Sequence, residues 1–249
     1  MEKMKRSNLN NDYMRWVFRA WRYRLRTEKP EINFLLRHLN SGQVVLDIGA
    51  HKGAYTYWMS KRVGETGYVY AFEPQPQLNQ YLSGIAKRSK YQNIQVETMA
   101  LSSMESDTTM NIPGGRPSPS ASLKTSGNKN ATQINVHTTT LDNFTLLRNL
   151  KTIDLIKCDV EGHELDVLMG GKKVLTRFKP VVLLECEARH NGPENVNAVF
   201  EFFTNLNYDG WFYNGNSLVS LDNFDLYTYQ TNPNRQIYVN NFFFTPKPV

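Results

Sequence analysis

The sequence has little of three features that would each define a class of protein. It contains only two cysteines in 249 residues, Cys158 and Cys186, and both fall in apolar, strand-like runs. We expect buried, reduced thiols rather than a disulfide framework or a metal pair. No stretch approaches the roughly 18 consecutive apolar residues of a membrane span, and no signal peptide is visible. We therefore expect a cytoplasmic protein, with peripheral membrane contact as an alternative.

The third missing feature is the dinucleotide fingerprint Gly-x-Gly-x-x-Gly, and its absence disfavours NAD. A β-branched run at 43–48 instead leads into Asp47-Ile48-Gly49-Ala50-His51-Lys52-Gly53. Gly49 and Gly53 let the backbone approach a ligand, and a helix predicted over 54–63 directs free N–H groups at the same place. Tight strand–helix packing is the alternative explanation of these glycines.

A second strand end carries an acid that favours a ribose-containing ligand. The strand predicted over 67–73 ends in Glu73, twenty residues after Gly53. A carboxylate at this position accepts hydrogen bonds from the two hydroxyls of a ribose. The pattern therefore favours a cofactor that contains a nucleoside.

A third strand end gathers several acids. The strand predicted over 153–159 leads into Asp159-Val160-Glu161-Gly162-His163-Glu164, and a helical pattern follows over 163–178. The carboxyl ends of neighbouring parallel strands form the ligand crevice of an open sheet. We expect Asp47 and Glu73 to converge there with Asp159 and Glu161 if their strands are neighbours.

The wider pattern alternates strands and helices, which predicts a mainly parallel sheet. Segments 108–112 and 133–139 predict an inserted hairpin around a mobile loop at 113–131, which is either a lid or a solvated insertion. Aromatic segments at 208–213, 217–221 and 236–244 predict antiparallel edge strands. Residues 1–40 are predicted to form a helical, basic extension, and residues 41–249 a single domain.

The positive charge is concentrated at the amino terminus. The first 29 residues hold nine Lys and Arg against three acids, whereas the rest of the chain is balanced. An apolar stripe at helical spacing runs beside a basic one: Met14, Phe18, Trp21 and Leu25, with Arg15, Arg19, Arg22 and Arg26. Residues 13–26 either contact an anionic membrane or pack on the domain. The neutral body makes nucleic acid an unexpected partner.

Several motifs, in this order, resemble the FkbM-type methyltransferases from about Val44 to Glu187. They are Asp47-Ile48-Gly49-Ala50, Phe72-Glu73-Pro74-x-Pro76, Ala100-Leu101-Ser102, Thr140-Leu141-Asp142 and Ile153-Asp154-Leu155-Ile156-Lys157-Cys158-Asp159-Val160-Glu161-Gly162-x-Glu164. The resemblance implies an S-adenosylmethionine-dependent enzyme, usually acting on oxygen, with the class I Rossmann-like α/β fold: a mainly parallel, seven-stranded-type sheet flanked by helices. His51 departs from the family, which more often has Asn there, and His163 replaces a small or apolar residue.

The resemblance also implies the site residues. The residues expected to bind the cofactor are Asp47, Gly49, Ala50, His51, Gly53, Glu73, Pro74, Ala100 and Asp159. The residues expected to act in catalysis are Glu161, Asp159 and His163, since a base within hydrogen-bond reach of an alcohol acceptor contributes about 10² to 10⁴ in rate. Glu185, Glu187, Arg189 and His190 follow the next strand and are expected near the acceptor. Asp159, Glu161 and Glu164 would also suit Mg²⁺ or Ca²⁺, but the spacing reveals no companion ligand and we expect no metal.

The predicted function is an O-methyltransferase acting on a sugar hydroxyl of a glycan or glycolipid, or on a secondary metabolite. A nucleobase or other N-methyltransferase is the alternative enzyme, although the Asn/Asp-Pro-Pro-aromatic motif of nucleobase enzymes is replaced by Asp159-Val160-Glu161-Gly162. A non-catalytic S-adenosylmethionine-binding module is the alternative outside enzymes. The acceptor is a small molecule or a glycan, and specificity loops carry no recognisable code.

Overall fold

A computed structural model describes residues 2–124 and 131–248. The chain forms two compact units, Met1–Ala100 and Leu101–Val249, and each is described by itself. Residues 125–130 of the predicted loop at 113–131 lie outside the described residues, so the mobility of this loop stays a prediction. The division into an extension at 1–40 and a domain at 41–249 also stays a prediction.

The first unit combines parallel strands with helices. Its elements are α1 (Glu2–Arg22), a π-helical turn (Tyr23–Thr27), α2 (Lys29–His38), β1 (Val44–Ile48), α3 (Ala54–Val63), β2 (Tyr68–Phe72), α4 (Pro76–Ala86) and β3 (Ile94–Glu97), with β4 (Ala100–Leu101) at its end. Strand β2 pairs in parallel with β1 and with β3, which confirms the predicted strands. The register places Ile48 beside Phe72 and Phe72 beside Glu97, so all three strands end at one edge.

The amino-terminal helix packs on this unit through a face that the sequence analysis did not predict. Trp16 and Ala20 are fully buried, and Trp16 Nε1 donates to the Gly53 carbonyl oxygen over 2.6 Å. In contrast, the predicted stripe faces outward, with Met14 65%, Phe18 72% and Leu25 61% exposed. Residues 13–26 thus pack on this unit, as one of the two alternatives expected, but they do so through Trp16 and Ala20 and not through the predicted stripe. No helix in the described part of the chain has the length and apolar character needed to cross a bilayer.

The second unit contains a hairpin and a mixed sheet. Its elements are β5 (Ser106–Pro113), β6 (Ala131–Thr139), α5 (Leu141–Leu147), β7 (Leu155–Cys158), α6 (Glu164–Gly170), α7 (Lys172–Phe178), β8 (Val181–Glu185), α8 (Ala188–Asn191), α9 (Pro193–Asn205), β9 (Tyr208–Asn214), β10 (Ser217–Ser220) and β11 (Asn241–Pro246). Strands β5 and β6 form the predicted antiparallel hairpin. The main strands follow the order β7-β8-β11-β9-β10, in which β7 and β8 are parallel and the remaining pairs are antiparallel.

Strand β11 corrects the prediction that all three carboxyl-terminal strands lie at an edge. It pairs with β8 on one side and β9 on the other. The burial of Phe242, Phe243 and Phe244 explains this placement, since each is at most 1% exposed. The Phe244 ring also stacks on Phe203 of α9 at 3.8 Å between centroids. Each such buried ring contributes about 1.5 to 3 kcal/mol, which favours an interior strand.

Two glycines divide the helix that the pattern predicts over 163–178. Helix α6 ends at Gly170, and α7 begins after Gly171. A Cβ atom on Gly170 would lie 2.0 Å from the Ser102 carbonyl oxygen, and one on Gly171 would lie 2.7 Å from Leu141. The close approach of these neighbours requires glycine at both positions, and the helix is interrupted there. Both cysteines are buried thiols, as predicted.

Candidate active site

The turn after β1 brings the chain directly from strand to helix. The amides of Gly49 and Ala50 both donate to the Phe72 carbonyl oxygen, over 3.1 and 3.0 Å. His51 adopts a left-handed φ of 48°, and Gly49 and Gly53 have φ values of 77° and 70°. Such angles are accessible to glycine and uncommon for His. The predicted cofactor-binding residues 49–53 thus form one tight turn at the carboxyl end of β1.

Gly53 is also required by packing. A Cβ atom at this position would lie 2.5 Å from a Leu82 methyl carbon and 2.9 Å from Trp16 Nε1. Gly53 therefore accommodates protein side chains, which is the packing alternative considered for the sequence. Its role beside a cofactor stays a prediction.

The acids after β1 and β2 are buried and held by donors. Asp47, at the end of β1, is 0% exposed and accepts a hydrogen bond of 2.5 Å from Thr56 Oγ1. Glu73 is 3% exposed, and its Oε1 accepts the Gln75 amide over 2.9 Å. These bonds fix both carboxylates in place. Pro74 follows Glu73 directly and is half-buried.

Ala100 closes the first unit. It forms β4 with Leu101 and is 7% exposed. Three residues earlier, the carbonyl oxygen of Glu97 accepts a hydrogen bond of 3.0 Å from the Glu73 amide. Glu97 therefore lies at the same sheet edge as Glu73.

The turn after β7 places Glu161 in a strained conformation. Glu161 has a φ of 54°, and the following Gly162 has a φ of 98°. Glu164 clamps this turn, because its Oε1 accepts the amides of Val160 and Gly162 over 3.2 and 3.0 Å. A left-handed conformation costs a residue with a Cβ atom about 1 kcal/mol or more, and such strain is concentrated at functional sites. These two hydrogen bonds therefore fix the backbone position from which the Glu161 side chain extends.

A narrow acidic cleft lies beside this turn. The residues that line the cleft are Asp159, Glu161, Gly162, Glu164, Glu185, Glu187 and His190. His190 Nε2 lies 3.0 Å from Glu161 Oε2. Burial, together with the nearby carboxylates of Asp159 and Glu187, raises the pKa of Glu161 to about 7. Burial also lowers the pKa of His190, which keeps the imidazole neutral.

Glu185 and Glu187, at the carboxyl end of β8, line the cleft in opposite charge states. Burial first, and the charge of Asp159 second, raise the pKa of Glu185 to about 10. Burial alone would raise the pKa of Glu187 as well. Hydrogen bonds from Tyr238, Glu185, Asn240 and Arg189 outweigh burial and lower this pKa. Tyr238 donates to Glu187 over 2.6 Å, and Arg189 forms a direct ion pair with it. Near neutral pH the pair therefore consists of a carboxylic acid and a carboxylate.

The remaining predicted catalytic residues occupy different positions. Asp159 lines the cleft and pairs with the buried Lys157 ammonium over 3.2 Å. His163 does not line the cleft: its Nε2 lies 2.9 Å from Ser102 Oγ, and its Nδ1 lies 3.4 Å from Asp166. Burial lowers the pKa of His163. The structure thus brings Asp159 and Glu161 together and places His163 apart from the cleft.

The cleft has partners that the sequence analysis missed. Tyr238 and Asn240 both bond to Glu187, and Asn240 also donates to Glu185 over 2.8 Å. They precede β11, about fifty residues along the chain, where only aromatic content was visible. Ser122 is a further missed residue, and its hydroxyl donates to the Glu161 carbonyl oxygen over 2.7 Å. Within residues 2–124 and 131–248, no group of three or more His, Cys, Asp or Glu is arranged to hold a metal ion.

Comparison with known proteins gives one family and one curated relative. Residues 47–209 match the profile of the Methyltransferase FkbM domain. The hexuronic acid methyltransferase AglP of Haloferax volcanii is 29% identical over 168 residues. This match covers 67% of the chain and 66% of AglP, so a third of that protein has no counterpart in the alignment.

Two solved structures are similar in fold. The O-methyltransferase of Bacillus cereus in complex with SAH has a TM-score of 0.53 at 12% identity, covering 95% of this chain and 91% of its own. The methyltransferase FkbM of Methylobacillus flagellatus has a TM-score of 0.52 at 16% identity. The match covers 82% of this chain and 43% of the Methylobacillus flagellatus chain. These likenesses confirm the predicted α/β fold of class I methyltransferases.

Proposed function

This chain belongs to the FkbM methyltransferase family, and we propose that it is an S-adenosylmethionine-dependent methyltransferase. The proposed acceptor is a hydroxyl oxygen of a sugar in a glycan or a glycolipid, or of a secondary metabolite. The observation that carries the oxygen-directed reaction is the acidic cleft with Glu161 at its centre. An alcohol must lose a proton when it is methylated, and a general base is most effective when its pKa lies near the working pH. The pKa of Glu161, about 7, meets that condition. The name of AglP supports a sugar acceptor.

The donor is proposed to bind at the strand ends of the first unit. Glu73 accepts the ribose hydroxyls, because its carboxylate is buried at the end of β2 and oriented by the Gln75 amide. Asp47 stabilises the turn, because it accepts a hydrogen bond from Thr56 in the helix that follows the turn. The cofactor-binding residues proposed are Asp47, Gly49, Ala50, His51, Gly53, Glu73, Pro74, Ala100 and Asp159.

The acceptor is proposed to bind at the rim of the cleft of the second unit, because the cleft itself has no room for a sugar. Glu161 takes the proton as the acceptor oxygen attacks the methyl group of the sulfonium, and the positive sulfur becomes a neutral thioether. His190 lies beside this carboxyl group, with its Nε2 3.0 Å from Glu161 Oε2. Asp159 orients the hydroxyl. His163 remains a candidate catalytic residue, although Ser102 and Asp166 occupy its ring nitrogens.

The carboxylates of the cleft suit a sugar hydroxyl, because sugar hydroxyls donate hydrogen bonds to carboxylates. Glu187 and Asp159 are each paired with a cation, Arg189 and Lys157 respectively. The acceptor sugar is therefore proposed to be either neutral or a uronic acid.

The test is methyl transfer from radiolabelled S-adenosylmethionine to neutral hexosides and to the matching hexuronosides, followed by NMR of the product. The proposal expects an O-methyl group on a sugar of at least one of the two classes. Glu161→Gln, which keeps the size of the side chain, serves as the control. An N-methyl product would contradict the proposal, and so would equal transfer by Glu161→Gln.

Peripheral contact with an anionic membrane through residues 13–26 also remains part of the proposed function. The exposure of Met14, Phe18 and Leu25 supports it. An interfacial helix enters the headgroup region with such apolar residues, while arginines beside them attract anionic lipids.

A further inference from the structure

A basic cavity of about 490 Å³ lies in the first unit, between the π-helical turn, α2 and α3. The residues that line it are Arg24, Asn33, Leu36, Arg37, Trp58, Lys61 and Arg62. Four of the seven carry a positive charge, and none is acidic. A concave surface lined by charge of one sign concentrates counter-ions of the opposite sign. The cavity is therefore suited to an anion.

The positive charges of this cavity are not neutralised by the protein. Throughout residues 2–124 and 131–248, no carboxylate lies within ion-pair distance of Arg24, Arg37, Lys61 or Arg62. Arg62 Nε instead donates to the Leu39 carbonyl oxygen over 2.7 Å. Four like charges in one cavity repel one another, and an anion that binds among them relieves this repulsion.

Aromatic contacts hold two of these cations in place. The Arg24 guanidinium lies 4.4 Å from the centroid of the Trp58 ring, and Lys61 Nζ lies 5.6 Å from the same ring. Trp58 is only 2% exposed, and its Nε1 donates to the Ala20 carbonyl oxygen over 2.8 Å. The floor of the cavity is thus a fixed ring, and the cations above it are preorganised.

An exposed apolar stripe begins at the rim of the cavity. The Trp21 ring lies 4.9 Å from Trp58 and 5.6 Å from the Arg24 guanidinium, yet Trp21 is 39% exposed. Phe18 and Leu25 continue the stripe along the helix and its π-helical turn and are more exposed still. A soluble phosphate compound would make no use of these side chains. A lipid surface would use both features, since it presents phosphate and hydrocarbon together.

We propose that this cavity binds the phosphate group of an anionic phospholipid while Phe18, Trp21 and Leu25 enter the membrane interface. The inference deepens the membrane contact of the proposed function by naming its headgroup site. It does not depend on methyl transfer, and its test measures vesicle binding and donor binding separately. The phosphate interacts with Arg24 and Lys61 over the Trp58 ring, and Arg37 and Arg62 complete the site.

The test is co-sedimentation of the full chain with vesicles of phosphatidylcholine, with and without about one third phosphatidylglycerol. The full chain is expected to bind the anionic vesicles only. Arg24→Gln with Lys61→Gln should lower this binding about tenfold or more, because each basic side chain near an anionic surface adds appreciably to affinity. Lys87→Gln with Lys172→Gln removes the same charge elsewhere and is the matched control, with an expected change of less than about twofold. Phe18→Ser with Leu25→Ser should also lower vesicle binding.

Calorimetry with S-adenosylhomocysteine shows whether each variant still folds and binds the donor. Equal losses in the cavity variant and the Lys87/Lys172 control would overturn the proposal, because binding would then follow net charge alone. Binding that ignores phosphatidylglycerol would also overturn it. Calorimetry with inorganic phosphate tests whether the ligand is instead a soluble phosphate compound. If the wild-type chain binds phosphate through Arg24 but does not bind vesicles, the ligand is a soluble phosphate compound and not a lipid.

Discussion

The carboxylates of the two units differ in what surrounds them. In the first unit, Asp47 receives the hydroxyl of Thr56 and Glu73 receives the amide of Gln75. In the second unit, Glu161 and Glu185 face other carboxylates, and burial raises the pKa of Glu161 to about 7 and that of Glu185 to about 10. Asp47 and Glu73 are thus each bonded to a neutral donor, whereas Glu161 and Glu185 face like charges.

This difference separates binding from proton transfer. A carboxylate fixed by a neutral donor offers its remaining lone pairs to hydroxyl groups of a ligand, which suits the ribose of a cofactor. A carboxyl group crowded by like charges holds its proton to higher pH, which suits exchange of a proton with an acceptor near neutrality. Substitutions that act on only one of the two regions test whether binding and proton transfer are separated in this way.

The largest effect is expected at Glu161. Glu161→Gln keeps the size of the side chain but cannot take a proton, so kcat should fall about 10² to 10⁴-fold. Affinity for S-adenosylhomocysteine should stay within about twofold, because Glu161 is not among the residues proposed to bind the donor. Rapid-quench measurement of methyl transfer gives kcat, and calorimetry gives the affinity. A variant that retains more than half of the turnover would end the assignment of Glu161 as base.

The reciprocal change in the first unit is Glu73→Ala. It removes charge-assisted hydrogen bonds to the ribose, each worth about 1.5 to 3 kcal/mol, so donor affinity should fall tenfold or more. Glu65→Ala removes an exposed acid of the same unit and should leave the affinity unchanged. Titration calorimetry with S-adenosylhomocysteine compares the two variants. Equal affinities would show that Glu73 does not contact the donor.

A smaller effect, on stability, is expected at Glu185. Its pKa of about 10 in the folded chain lies above the ordinary value of 4.5, so the folded state retains a proton that the unfolded state loses between these pH values. The contribution of Glu185 is therefore largest below pH 4.5 and declines as pH rises toward 10. Glu185→Gln should raise the free energy of unfolding by about 1 to 3 kcal/mol at pH 8 and by little at pH 4.

Urea unfolding at both pH values measures this difference. Glu201→Gln, on the exposed side of α9, is the matched control and should change stability at neither pH. A stabilisation of Glu185→Gln that is the same at pH 4 and pH 8 would show that packing, and not the held proton, is responsible.

The sequence predicted the elements that carry a strong local signal. The helix predicted over 54–63 has the observed bounds, since Gly53 and Gly64 flank it. Strand ends marked by Asp47, Glu73 and Asp159 were predicted from apolar runs that stop at an acid. These features depend on neighbours in sequence, and periodicity reports such neighbours directly.

Features that depend on distant neighbours were missed. The helix over 163–178 is interrupted because Ser102 and Leu141 approach Gly170 and Gly171, and nothing near 170 reports those contacts. Helix α1 presents two apolar faces, and the pattern alone does not select the one that contains Trp16. The hydrogen bonds from Tyr238 and Asn240 to Glu187 span about fifty residues and have no local signal.

The pH dependence of kcat/KM shows whether Glu161 exchanges the proton. In wild type, kcat/KM for the acceptor should rise between about pH 6 and 8 with an apparent pKa near 7 and then level off, because the base of the free enzyme must be ionised to accept a proton. The residual activity of Glu161→Gln should lose this step, while His190→Gln should keep it. A wild-type profile that is flat from pH 6 to 9, or one that Glu161→Gln shares, would contradict the account.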